Sequence, residues 1–164
     1  MEIRELSISE VEDALLLIKE VFLDTEAKEC TPGGVGVFLD SLKGSDFIAM
    51  IREEQYILAG TFDEEDRLAG VLGARGGFLA LLFVRVDHMG RGYGKRLYRF
   101  YEDRILSGEV TCSKISTNSS LGAVSFYEKM GFCITGEQKM IHGIPFVPME
   151  KGFSHEDKFG IVKT

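Results

Sequence analysis

The order of apolar patterns in this chain predicts an α/β (α+β) fold, with one sheet flanked by helices. Three observations carry the prediction. Helix-period segments alternate with short strand-like runs from residue 3 to residue 149. One run, Phe78-Leu79-Ala80-Leu81-Leu82-Phe83-Val84, is apolar throughout, as suits a central strand covered on both faces. A glycine-rich turn at residues 90–94 follows it and opens an amphipathic helix.

The elements follow in order. Residues 3–6 read as a first strand, and Ser7-Ile8-Ser9-Glu10 has the Ser-x-x-Glu form that opens a helix. Val11, Ala14, Leu15, Ile18 and Phe22 then recur at helical spacing. An acidic stretch at 24–29 leads to Thr31-Pro32, an N-cap and first-turn proline for a second helix carrying Val35, Phe38, Leu39 and Leu42. A short helix at 46–53 precedes strands at 56–62 and 68–74, joined as a hairpin by the charged turn at 63–67. After the glycine turn, Leu97, Phe100, Tyr101 and Ile105 mark a helix. Strands at 110–116, 132–138 and 145–149 and a helix at 119–130 complete the pattern, giving a domain at 1–151 and a tail at 152–164.

Composition narrows the function. With 45% hydrophobic residues and 164 positions, one core can form without staples. Lys plus Arg number 19 against 26 Asp plus Glu, so the net charge of −7 argues against a nucleic-acid surface and suits a cationic substrate. No apolar run approaches the ~20 residues of a membrane span, and no membrane partner is expected. The opening Met1-Glu2-Ile3-Arg4-Glu5 lacks the basic and apolar segments of a secretion signal, so a cytoplasmic protein is expected. Cys30, Cys112 and Cys133 are widely spaced and odd in number, and His88, His142 and His155 form no ligand pattern. No metal is expected.

The glycine turn is the most informative segment. Glycines at 90, 92 and 94 let backbone amides approach a ligand, and the unpaired first amides of the next helix favour an anion. Arg91, Lys95 and Arg96 add positive charge, so a pyrophosphate is the natural guest. The dinucleotide pattern needs glycine where Lys95 stands, and the P-loop needs glycine at Met89 and Ser or Thr at Arg96.

What remains, Met89-Gly90-Arg91-Gly92-Tyr93-Gly94, resembles the pyrophosphate loop of the GNAT acyltransferases. Met89 departs from the family's Arg or Gln, and Val86 stands where many members have proline. A second stretch, from Asn118 to Phe132 with Phe126-Tyr127-Glu128-Lys129-Met130-Gly131-Phe132 at its end, resembles the later GNAT motif in the same order and separation. The resemblance covers the chain from its first strand to Met149. It implies a mixed, twisted, mostly antiparallel sheet whose central strands splay to admit a pantetheine arm.

It further implies an N-acetyltransferase that uses acetyl-CoA as acyl donor and a primary amine that attacks the thioester directly. By resemblance, the amides of Leu82, Phe83 and Val84 hold pantetheine as an added strand, while those of Gly90, Arg91, Gly92, Tyr93, Gly94 and Lys95 bind pyrophosphate. Tyr127 matches the tyrosine near the CoA sulfur and is the candidate general acid, a phenol of pKa about 10 facing a thiolate of about 8.5. Asn118 caps the following helix or hydrogen-bonds CoA. Glu26 and Glu29 lie where the family lines its acceptor pocket, as a base or as an attractor of the cation. The alternative is a non-catalytic acyl-CoA-binding regulatory module on the same fold. Edge pairing of the last strands would support a homodimer.

Overall fold

The computed structural model describes residues 2–154 and 157. His155, Phe159, Ile161 and Val162 of the expected tail lie outside the described residues. The strands are β1 (Glu2–Glu5), β2 (Tyr56–Phe62), β3 (Leu68–Arg75), β4 (Phe78–Val84), β5 (Lys114–Ser119), β6 (Cys133–Ile134), β7 (Lys139–Ile141) and β8 (Ile144–Gly152). They form one sheet in the order β1-β2-β3-β4-β5-β8-β6, with β7 paired to β8. Every pairing is antiparallel except β4 with β5. This is the mixed, mostly antiparallel sheet that was expected.

Helices α1 (Val11–Asp24), α2 (Pro32–Ser41) and α3 (Gly44–Glu53) pack with one face of the sheet, and α4 (Tyr93–Leu106) and α5 (Val124–Lys129) with the other. Each side has its own apolar core. Leu17, Ile18 and Phe22 are fully buried on the first, and Leu97, Tyr101 and Ile105 on the second. The sheet divides them because alternate strand residues point to opposite faces: Leu58 and Val71 join the first core, Ala59 and Leu72 the second.

Local chemistry explains the helix starts. The Glu10 carboxylate accepts the Ser7 backbone N–H at 3.0 Å, and two bonds from Arg4 at 2.8 and 2.9 Å hold it down to about 2. Thr31 Oγ1 accepts the Gly34 N–H at 3.0 Å, with Pro32 opening α2 as its fixed φ favours. In the turn after β2, Asp63 Oδ1 accepts the N–H groups of Glu65 and Arg67, each at 2.9 Å, which closes the expected hairpin.

Four expectations change. β5 lies at Lys114–Ser119 rather than 110–116, because its inward set is Ile115, Thr117 and Ser119, two of them polar and hidden from a search for apolar alternation. The following helix begins only at Val124, after a 3-10 turn at Leu121–Ala123. The expected strand at 132–138 shrinks to Cys133–Ile134, and a hairpin of β7 and β8 follows it. The last strand runs from Ile144 to Gly152 rather than over 145–149, and the Phe153 N–H donates to the Ser113 carbonyl at 3.0 Å.

Candidate active site

The site begins where two central strands part. β4 and β5 pair only at Phe78↔Ser116 and Leu79↔Thr117. At this fork the buried Thr117 hydroxyl donates to the Leu79 carbonyl at 2.8 Å. On its other side β4 pairs with β3 from Gly70↔Val84 to Gly73↔Leu81 and again at Ala74↔Leu79, leaving Ala80 as a bulge. A bulge raises local twist and turns the strand away from its neighbour. The β5-facing edge of residues 80–84 is therefore free of strand pairing among the described residues. Phe78, 40% exposed, and Ala80 are open to solvent, which corrects the expectation of a strand covered on both faces.

A cleft of about 320 Å³ fills the gap, with Leu82 and Phe83 on one wall and Thr117, Asn118 and Ser120 on the other. Tyr127 reaches it from α5 and is only 6% exposed. Burial pushes its phenol up to about 12; hydrogen bonding with Thr117 opposes the shift, and the Glu26 charge adds to it. The ring is held by edge contacts with Phe126 and Phe132, centroids 5.2 and 5.3 Å away.

Glu26 enters from the loop between α1 and α2. Burial pushes its carboxyl up to about 7, hydrogen bonding with Ser120 works against this, and the Glu29 charge raises it further. Glu29 does not line the cleft: its Oε2 is buried without a protein hydrogen-bond partner. The Cys30 thiol donates to the Glu26 carbonyl at 3.5 Å and is raised by burial and by both glutamates, the opposite of what an attacking thiolate requires.

The glycine turn sits at the C-terminal end of β4. Gly90 and Gly92 have φ of +77° and +87°, and nothing lies within 4 Å of a Cβ at either. Gly92 is the N-cap of α4, so the first amides of that helix face the same open space. Arg91 and Lys95 are exposed around it. Tyr93, expected for its amide, also buries its ring edge-on against His88 at 5.2 Å. His88 is held in turn by Asp63 at 3.1 Å and Asp87 at 2.8 Å, so a buried polar link ties the loop to the β2–β3 turn.

The far end of the cleft is closed by the β7–β8 hairpin. Its turn residues His142 and Gly143 have φ of +53° and +80°, as a two-residue hairpin with the strands' own twist requires. The Thr31 N–H donates to the Gly143 carbonyl at 3.0 Å. A Cβ on Gly34 would collide with that carbonyl, and one on Gly143 with Thr31 Oγ1. Two backbones thus touch where the hairpin meets α2.

The structure brings Glu26, Leu82, Phe83, Asn118 and Tyr127 to one cleft and places residues 90–95 beyond the end of β4. Asn118 is not a helix cap: it lies within β5, paired with Pro148, because pairing with β8 continues to Ser119. Sequence reasoning missed Thr117 and Ser120, which fell outside the misplaced strand. It also missed the lining residues of the hairpin, where His-Gly stands in place of the usual Asn-Gly signal.

The acetyltransferase (GNAT) domain family matches residues 26–153. The chain belongs to this family. No curated protein matches the sequence. Among solved structures, PaiA N-acetyltransferase from Thermoplasma acidophilum, in complex with coenzyme A, is 20% identical with a TM-score of 0.75, over 93% of this chain and 98% of that one. A GCN5-related N-acetyltransferase from Rhodopseudomonas palustris is 16% identical with a TM-score of 0.73, over 93% and 95%. A phosphinothricin acetyltransferase from Sinorhizobium meliloti, in complex with AcCoA, is 14% identical with a TM-score of 0.68, over 92% and 87%. The likeness in fold covers more of the chain than the family match at 26–153. No helix among the described residues is long and apolar enough to cross a membrane.

Proposed function

We propose that this GNAT protein transfers the acetyl group of acetyl-CoA to a primary amine by direct attack on the thioester. The observation that carries the reading is the fork between β4 and β5, which opens beside Tyr127 and Glu26 and leads toward the glycine turn. Coenzyme A and AcCoA in the related structures support the donor.

The residues fit that donor. The backbone groups of Leu82, Phe83 and Val84 that turn away from β3 have no strand partner among the described residues and suit an extended amide-bearing arm, bound as a strand would be. The amides of Gly90 to Lys95 suit a pyrophosphate, with Arg91 and Lys95 supplying charge. Acetyl-CoA supplies an activated acyl carbon: the amine nitrogen bonds to it, the C–S bond breaks, and the sulfur leaves as a thiolate. Glu26 takes the amine's proton, directly or through water, and its carboxyl near 7 is matched to a base working at neutral pH. Glu29 acts only as a neighbouring charge that raises Glu26.

Tyr127 stays protonated throughout the physiological range. Its phenol, about 12, lies roughly 3.5 units above a thiol near 8.5. It therefore stabilises the departing thiolate by donating a hydrogen bond, and the thiol's final proton comes from solvent. Alignment of amine and thioester in the cleft is the larger contribution to rate. The free thiols Cys30 and Cys133 suit the reducing cytoplasm, which we take as the compartment. Edge strand β6, with Ile134 exposed, is the surface through which we expect a second copy to pair.

Calorimetric titration with acetyl-CoA and CoA, with ATP and NAD as controls, tests the donor. Selective CoA binding followed by amine-dependent thiol release is the expected result. Binding without turnover of any amine would favour the regulatory module, and no binding by folded protein would refute the donor assignment.

A further inference from the structure

The acceptor end of the cleft has a chemistry of its own. Among the described residues that line it, Glu26 is the one carboxylate. Thr117, Asn118, Ser120 and His142 bring polar groups to the cleft, and the rest of the surface at this end is apolar, built from Phe38, Ile141, Ile144, Pro145 and Phe146. Phe38 is fixed by stacking on Phe22, centroids 4.0 Å apart at 23°, and leans on Phe83 at 6.0 Å. Phe38 thus presents a fixed aromatic face to the cleft.

Two further facts limit the guest. The 320 Å³ of the cleft lies near the lower end of the roughly 300–1,000 Å³ typical of small-molecule sites, and it must also admit the acetyl-bearing end of the donor. The hairpin tip is locked to α2 by backbone contact at Gly34 and Gly143, so side-chain motion alone does not widen this end. A polyamine or aminoglycoside would bring several ammonium groups to a wall with one carboxylate, and the others would lose water beside Phe and Ile with no second negative charge to meet them. One cation, by contrast, meets Glu26.

We propose that the acceptor is a small primary amine with a single cation and an apolar, preferably aromatic, body, its nitrogen toward Glu26 and its body against Phe38 and Phe146. This rests on the acetyl-transfer reading above. It narrows the amine to a class that the size, charge and wall chemistry of the cleft select together.

The test follows thiol release from saturating acetyl-CoA with phenethylamine, spermidine and kanamycin as acceptors. The expected kcat/KM for phenethylamine is about tenfold or more above that of either polycation. Ile141, 53% exposed on the same wall, allows a charge to be added without disturbing the core. Ile141→Glu should move the ratio toward spermidine by about three- to fivefold. A polycation used as well as phenethylamine, an unchanged ratio in Ile141→Glu, or no turnover of phenethylamine by protein that binds acetyl-CoA would each overturn the proposal. Failure to bind acetyl-CoA at all would remove the transfer reading and this proposal with it.

Discussion

Gly90 and Gly92 stand beyond the end of β4 with nothing near where a Cβ would be, whereas Gly34 and Gly143 stand where α2 meets the β7–β8 hairpin, with atoms of the facing segment in that place. The first pair keeps space open for a ligand and lets the chain take positive φ. The second pair lets the hairpin approach the start of α2 closely enough for the Gly143 carbonyl to meet Gly34 and for Thr31 Oγ1 to lie against Gly143. The same residue type serves the proposed donor half by leaving a surface bare and the acceptor half by closing one. Substitutions at the two pairs should therefore separate, the first acting on acetyl-CoA and the second on stability and the amine.

The largest effect is expected where the halves meet. Tyr127→Phe removes a hydrogen-bond donor with little change in volume and should lower kcat by about 10²-fold or more, leaving acetyl-CoA affinity within about twofold. Stopped-flow turnover beside calorimetry reads both, and equal loss in both would make Tyr127 a binding group.

Gly34→Ala comes next. Its Cβ cannot share space with the Gly143 carbonyl, so the hairpin must shift, at roughly 2–3 kcal/mol and a fall in Tm of about 5–10 °C. The amine KM should rise while acetyl-CoA affinity holds. Gly36→Ala, in the same helix with nothing within 4 Å, is the control and should stabilise by about 0.5–1 kcal/mol. If both variants behave alike in thermal melts, the contact at Gly143 contributes nothing.

Gly92→Ala is expected to act in the opposite sense. A Cβ meets no protein atom there, so the stability loss is only the left-handed backbone penalty, roughly 1–2 kcal/mol. Acetyl-CoA binding should weaken by about tenfold, with the amine KM unmoved. Unchanged affinity would put the pyrophosphate elsewhere.

The smallest effect is a pH dependence centred on Glu26. Its carboxyl is raised from 4.5 to about 7, so kcat should climb as pH passes 7, and Glu26→Gln should flatten that limb. The same shift has a stability sign. The folded state holds this proton more tightly than the unfolded one, so stability falls as pH rises from about 4.5 to about 7 and levels above. Urea melts across that window would show a shallower fall in Glu26→Gln.

Much of this was legible in the residues. The β4 run, the glycine turn and the Phe126 to Phe132 motif are local features: apolar continuity, positive-φ glycines and a helix-to-strand turn act within a few residues of themselves. What was not legible depends on partners distant in the chain. Asn118 looks like a cap until β8, almost thirty residues on, takes it as a strand residue. Thr117 falls between the expected strand and helix, and Ser119 at the head of that helix, until the sheet buries both. The openness of β4 was concealed by its own apolarity, since a strand covered by helices and one lining a cleft share a sequence pattern.

The sequence by itself determined the α/β order, the caps at Ser7 and Thr31, the glycine turn before α4 and the family resemblance, because each rests on short-range backbone preference or a contiguous motif. Only the tertiary structure decided which glutamate faces the cleft, how Glu26 and Tyr127 acquire raised pKa values, and that His142-Gly143 closes the acceptor end against Thr31 and Gly34. Those properties come from burial and from contacts between segments distant in the chain, such as Thr31 with Gly143, and desolvation exists only once the chain has folded around the group.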